Sequence, residues 1–206
     1  MRKKIYLVIN PISISIITLL VPVICIINFS AYFQYKFDSL NLKEEFSRFG
    51  EQELKSYLNS ILDFINWRKD NLDSNFFTDQ EIVHLNDVKS LVLFIYSIFI
   101  AIVAILVISI HNNSKEFLKS IKYSILLNFF LFLVCILCMI RFDILFDALH
   151  KILFRNDFWL LDPESSNLIK FFPIAIFEEI AIYIGFFVII TSILLWIIMK
   201  KRIKKY

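Results

Sequence analysis

His84 opens the run His84-Leu85-Asn86-Asp87-Val88-Lys89, and His150 heads a second polar cluster that continues through Arg155, Asn156, Asp157 and Trp159 to Asp162-Pro163. Imidazole exchanges a proton near neutral pH, so histidine is the side chain best matched to general acid–base work. Both clusters adjoin long apolar runs, so the chemistry on offer is proton transfer on something held at a lipid surface. On a helix, His84, Asp87, Val88 and Leu91 share one face, where Asp87 can orient the imidazole and stabilise its protonated form. Asp147 lies three residues before His150, with Phe146 and Phe154 four residues to either side, so spacing gives that ring one acid and two aromatic walls. Asp157 is a second candidate to orient it. Taken singly, Arg155 and Lys89 read as lipid-phosphate contacts and Trp159 as an interfacial belt residue. A lone interfacial histidine is ordinarily a solvated headgroup contact. Two in equivalent positions, each with an aspartate at helical spacing, shift the balance toward chemistry. The third histidine, His111, sits beside Asn112 and Asn113 and reads as an ordinary loop residue.

Other chemistries find little support. The only glycines are Gly50 and Gly185, so there is no G-x-S-x-G nucleophile elbow. Cys25, Cys135 and Cys138 all fall in apolar runs and read as buried hydrophobes. Cys135 and Cys138 form a C-x-x-C with no further ligand nearby. A zinc site from His84, His150 and one aspartate would supply the three protein ligands that catalytic zinc needs, but Lys89 and Arg155 disfavour a cation there. No cofactor or metal is expected.

The elements that must position these residues are membrane helices. With 206 residues, 58% of them hydrophobic, the expected fold is an all-α membrane protein: four transmembrane helices under an extracytoplasmic, mainly helical cap. The expected layout is helix 1 over 1–33, a first cap segment over 34–89, helix 2 over 90–110 and a cytoplasmic loop over 111–122. Helix 3 follows over 123–141, a second cap segment with the membrane interface over 142–179, helix 4 over 180–199 and a cytoplasmic tail over 200–206. The first run follows Arg2-Lys3-Lys4 like a signal peptide, but it is too long for one and ends in Tyr32, Phe33, Tyr35 and Phe37 instead of small residues. It is expected to stay as a helix. The N-terminal basic cluster, the 111–122 loop and the tail hold eleven basic residues against one acid, Glu116; the 34–89 and 141–170 segments hold eleven against sixteen. Short basic segments stay inside. Both termini are therefore expected in the cytoplasm, and both histidine clusters outside. The abundance of Phe, Ile, Lys and Asn fits an AT-rich bacterial genome.

Within the cap, Glu51 to Asn66 reads as an amphipathic helix with Leu54, Tyr57, Leu58, Ile61, Leu62 and Ile65 on one face. Phe49-Gly50 is the turn before it, and 67–77 is polar and turn-like. Thr78-Asp79-Gln80-Glu81 is a capping box with Phe77 and Ile82 as its staple, so a helix starts at 79 and runs through His84 into the second span. Another runs from Phe142 to about Phe154. Asp162-Pro163 reads as a helix start, and Pro173 restarts or kinks the next helix. Glu178 and Glu179 belong at the membrane boundary or against a polar cavity. The 34–48 stretch leaves room for short strands.

His84-x-x-Asp87-Val88-Lys89 before the second span, and His150-x-x-x-Phe154-x-Asn156-Asp157-x-Trp159-x-x-Asp162-Pro163 before the fourth, resemble the lipoprotein intramolecular transacylases. These are small integral membrane enzymes of low-GC Gram-positive bacteria. The resemblance implies an acyltransferase whose partners are diacylated lipoproteins and membrane lipid, not nucleic acid. It would move the sn-2 acyl chain of a diacylglyceryl-cysteine lipoprotein to the cysteine α-amine, leaving a lyso-form. The family's two essential histidines fall on His84 and His150. In that reading His150 is the base, oriented by Asp147 or Asp157. His84, held by Asp87, donates to the oxyanion or positions the amine, and Phe146, Phe154, Phe158 and Trp159 shape the substrate. Lys89, Arg155 and Asn156 complete the supporting set. A non-catalytic membrane partner with a binding cap, and a metal-dependent membrane hydrolase, are the alternatives.

Overall fold

The computed structural model describes residues 2–46 and 48–203, and side chains over 5–46 and 48–201. Helix α1 (Arg2–Ile27) is followed by α2 (Ser30–Ser39), a 3-10 turn (Leu42–Glu45) and α3 (Glu51–Ile65). Then come α4 (Asp79–Met139), α5 (Phe142–Leu153), the short α6 (Asn167–Phe171) and α7 (Ile174–Ile203). Among the described residues there is no strand, and 34–48 holds the end of α2, the 3-10 turn and short connections where short strands had room. Among the described residues, three helices carry stretches long and apolar enough to cross a membrane: Ile5–Ile27, Asp79–Met139 and Ile174–Lys201.

The apolar run 5–33 is not one helix. At Asn28 and Phe29 the backbone ladder tightens to i−3 bonds, onto Cys25 and Ile26, and the Asn28 side chain caps the Ile24 carbonyl at 2.8 Å. A side chain that competes for backbone groups ends the helix despite apolar flanks. The 111–122 segment differs in the other direction. It is helical except at Asn113, whose backbone is extended (φ −153°, ψ 58°), so the expected loop shrinks to a kink within α4 and His111 lies on helix. Helix α7 begins at Ile174, directly after Pro173, and carries Glu178 and Glu179 on its first turns.

The chain divides into two units. The first comprises Met1–Val23, Tyr96–Arg141 and Ile180–Tyr206. Its buried side chains include Asn10, Ser13, Ser15, Thr18, Ser120, Ser124 and Asn128, while Ile100, Val107, Leu126, Leu137 and Phe186 are exposed. Small polar residues inside and large apolar ones outside are what helices packing in lipid require. Asn128 of α4 donates to the Ser192 hydroxyl of α7 at 3.2 Å.

The second unit comprises Ile24–Ile95 and Phe142–Glu179 and holds both histidines. Its core is aromatic. Phe46 lies 4.7 Å from Phe171, and Tyr57 stacks on Phe76 at 3.9 Å between ring centroids. Helix α3 buries Leu54, Leu58, Ile61, Leu62 and Ile65, the stripe its periodicity predicts. It ends in a Schellman motif: Trp67 N–H donates to the Phe64 carbonyl at 3.1 Å and Arg68 N–H to that of Asp63 at 2.8 Å. This puts Trp67 in the left-handed region (φ 60°), which glycine usually occupies. The indole offsets that strain by donating from Nε1 to the Lys89 carbonyl at 3.1 Å. Lys36 of α2 pairs with Glu179 of α7, which gives one of the two boundary acids its cation.

Candidate active site

The Thr78–Glu81 capping box sets where α4 begins. Glu81 N–H donates to the Thr78 hydroxyl at 3.2 Å, and the Glu81 carboxylate accepts from Thr78 N–H at 2.8 Å. One turn later α4 presents His84, only 7% exposed. Helix α5, an amphipathic helix that starts at Phe142, presents His150 on its last turn. The two rings face each other across 5.9 Å between centroids, tilted by 34°. Phe154 stands edge-on to His84 at 5.0 Å and lies 5.5 Å from His150. Trp159 and Phe146 cover His150 from 5.1 and 4.3 Å. The pair thus occupies an aromatic box assembled from two helices and the strap that follows α5.

The two rings are held differently. His150 Nδ1 lies 2.8 Å from the Phe146 carbonyl oxygen. A carbonyl only accepts, so Nδ1 carries the hydrogen and, in the neutral ring, Nε2 keeps its lone pair. His84 Nδ1 is buried with no partner among the described residues. Burial, and then repulsion from His150, lower the His84 pKa to about 4, while the Asp87 carboxylate pulls the other way. His84 is therefore an uncharged imidazole at neutral pH. Side by side stand a ring whose Nε2 can take a proton and a second, neutral ring in an apolar enclosure.

The family described as lipoprotein intramolecular transacylase Lit matches residues 8–177. The chain belongs to this family. Its fold is similar to that of the membrane integral lipoprotein intramolecular transacylase Lit from Bacillus cereus, with a TM-score of 0.86, 22% identity, and 99% of this chain and 97% of that chain covered. A form of that protein with a histidine-to-alanine mutation gives a TM-score of 0.82, and one with a histidine-to-arginine mutation 0.78, each at 22% identity with 99% of this chain covered. They cover 94% and 93% of those chains. At that identity the likeness speaks for the fold. No curated protein sequence matches the chain.

The structure of this Lit-family chain brings together His84, His150, Phe154 and Trp159, and sets Asp87 and Asn156 beside them. The expected acid–histidine pairings are not made. Asp87 accepts from the Asn156 amide at 2.9 Å instead of binding His84 Nδ1. Asp147 and Asp157 are exposed, and the position Asp147 was to fill is taken by the Phe146 carbonyl. The reason is geometric: at four residues' spacing the helix's own carbonyl lies directly beneath the ring. Arg155 is exposed on the strap. Lys89 is absent from the histidine box. It is 7% exposed, donates to the Lys69 carbonyl at 3.0 Å, and stands 4.3 and 4.6 Å from the Phe64 and Trp67 ring centroids. Asp162-Pro163 starts no helix. Asp162 instead caps a turn, accepting from Glu164 N–H at 3.1 Å and the Ser165 hydroxyl at 2.8 Å, which holds its carboxyl below the ordinary range. Helix α6 starts a few residues on, with Ser166 as N-cap. Among the described residues no three His, Cys, Asp or Glu side chains converge as a metal-ligand group.

Two features lie outside what the sequence suggested. Asn156 ties the strap to α4 through its amide, while its carbonyl accepts Phe158 N–H at 3.1 Å. Gln80 donates to the Leu160 carbonyl at 3.0 Å. Nothing local signals either contact, because the partners are about 70 to 80 residues apart.

Proposed function

We propose that this chain moves the sn-2 acyl group of a diacylglyceryl-cysteine lipoprotein onto that cysteine's α-amine, with His150 and His84 as the catalytic pair. The facing of the two rings at 5.9 Å inside an aromatic box carries this reading. The attacking amine belongs to the substrate, so no serine or cysteine nucleophile is needed. A terminal amine has a reference pKa of about 8 and is mostly protonated at neutral pH. Once deprotonated, its nitrogen attacks the sn-2 ester carbonyl. His150 Nε2 takes the second ammonium proton as the C–N bond forms. The C–O bond then breaks, and the same proton returns to the glyceryl oxygen. An amide and a free glycerol hydroxyl result, with no water consumed. General acid–base assistance of this kind contributes roughly 10²–10⁴-fold.

His84, neutral and poorly solvated, suits the task of steadying the developing oxyanion through an N–H, which is worth most where water is excluded. The rings of Phe146, Phe154 and Trp159 exclude that water and hold amine and ester in reacting geometry. Asp87 and Asn156 fix the strap that carries Trp159.

The same proposal includes four spans. A straight α4 would reach about 90 Å, against a hydrocarbon core of about 30 Å, and Asn113 interrupts it midway between apolar stretches. Two spans meeting at a cytoplasmic Asn113 put 34–89 and 142–179 on the extracytoplasmic side and both termini inside. The charge asymmetry supports this.

Expression in a bacterial host without N-acylating enzymes, with mass spectrometry of lipoprotein N-termini, tests the reading. Conversion of diacyl to lyso-form N-acylated termini is expected, with His84→Ala and His150→Ala each losing it by at least about 100-fold. Unchanged diacyl termini would sink the enzymatic reading, and chelator-sensitive hydrolysis would put a metal enzyme in its place.

A further inference from the structure

Glu81 is a carboxylate that is 1% exposed, one turn before His84, and the capping box uses only one of its oxygens. The other, Oε1, accepts from the Ser166 hydroxyl at 2.6 Å and from Leu168 N–H at 2.8 Å. Ser166 is itself the N-cap of α6, accepting Ile169 N–H at 3.2 Å. Beside this contact, Asn167 donates to the Phe76 carbonyl at 2.6 Å. One buried carboxylate therefore ends two segments at once: the start of the helix that bears His84, and the strap that runs from His150 past Trp159 into α6. A buried charge is tolerated only when its lone pairs are filled, and here four donors fill them.

We propose that Glu81 is a positioning residue for the reaction: its clasp on Ser166 and Leu168 sets the strap so that Trp159 closes on His150 opposite His84. The inference rests on the histidine-pair reading. Opening the clasp moves the strap, and a displacement of about 1 Å can cost 10²-fold in turnover. The two halves of the clasp can be weakened separately. Ser166→Ala removes one of the two strap-side donors together with the α6 cap, Ser166→Thr keeps a hydroxyl, and Thr78→Ala removes the hydroxyl of the capping half and leaves its N–H.

Hydrogen exchange on the full-length protein in detergent micelles, paired with turnover on a synthetic diacylglyceryl lipopeptide, tests the clasp. Ser166→Ala should speed exchange across 156–168 and leave 84–95 protected. Its kcat should fall about ten- to a hundred-fold with apparent KM within about two-fold. Ser166→Thr should restore both. Glu81→Gln, which touches both sides, should lose at least as much as Ser166→Ala, and the double variant should be no worse than Glu81→Gln alone. Unchanged exchange in Ser166→Ala, additive losses, or faster exchange with full kcat would overturn the clasp. If exchange responds as expected but turnover survives His84→Ala and His150→Ala, the failure lies with the histidine reading alone.

Discussion

At the scale of single residues, the pair is asymmetric. His150 has a fixed tautomer because a helix carbonyl lies beneath Nδ1. His84 has no partner at Nδ1 and a pKa of about 4. That depression makes a prediction about stability. The folded chain binds the His84 proton more weakly than the unfolded chain, whose histidine titrates near 6.5, so between these values the unfolded state carries more protons. The stabilising effect is whole above about pH 6.5 and drains away as pH falls toward 4, by something on the order of 3 kcal/mol. Wild-type protein in micelles should therefore lose more Tm between about pH 7.5 and 4.5 than His84→Gln does. Equal losses would mean that His84 is not buried uncharged. Both histidines were legible in the sequence because helical spacing and flanking polar clusters are local signals. Their hydrogen-bond partners were not. Asp147 has the spacing of a partner, yet the backbone offers a nearer acceptor. Asp87 is drawn off by Asn156, a residue 69 positions away.

At the scale of elements, the clearest departure is Lys89. Read locally, it is a basic residue before a membrane span and suits a lipid phosphate. In three dimensions it fills a cage of Phe64, Trp67 and the Lys69 carbonyl. This joins the end of α3 to α4 and rewards Trp67 for a left-handed backbone. Lys89→Met keeps the aliphatic stem but loses a charge-assisted hydrogen bond and two cation–π contacts, so it should cost about 2 kcal/mol. Thermal unfolding should register that loss while turnover per folded molecule stays within about two-fold. A drop in turnover at unchanged Tm would return Lys89 to the substrate. The capping box of α4 and the stripe of α3 were readable because each lies within a few helical turns. The break at Asn28 and the start of α6 at Ser166 were not. Each is decided by hydrogen-bond competition that hydrophobic periodicity does not record.

At the scale of the whole molecule, all-helical architecture and membrane character follow from composition; the described residues form helices and no strand, and three of those helices are long and apolar enough to cross a membrane. The span count and orientation rest on Asn113 and on charge. Single cysteines can test them after Cys25, Cys135 and Cys138 are replaced by alanine. Asn113→Cys should react with a membrane-impermeant maleimide only from the cytoplasmic side, and Asp70→Cys or Asp157→Cys only from outside. Labelling of Asn113→Cys from outside would reverse or break the proposed topology.

The central claim is that one histidine pair passes an acyl chain between two atoms of the same substrate. A crossover measurement tests it most directly. Two diacylglyceryl lipopeptides with different peptide sequences, one carrying an isotopically heavy sn-2 chain, are mixed with the purified protein and analysed by mass spectrometry. The account predicts heavy acyl only on the α-amine of the peptide that brought it, a vacated sn-2 hydroxyl on the same molecule, and loss of both in His150→Ala. Heavy acyl on the other peptide, or undiminished transfer in His150→Ala, would contradict it.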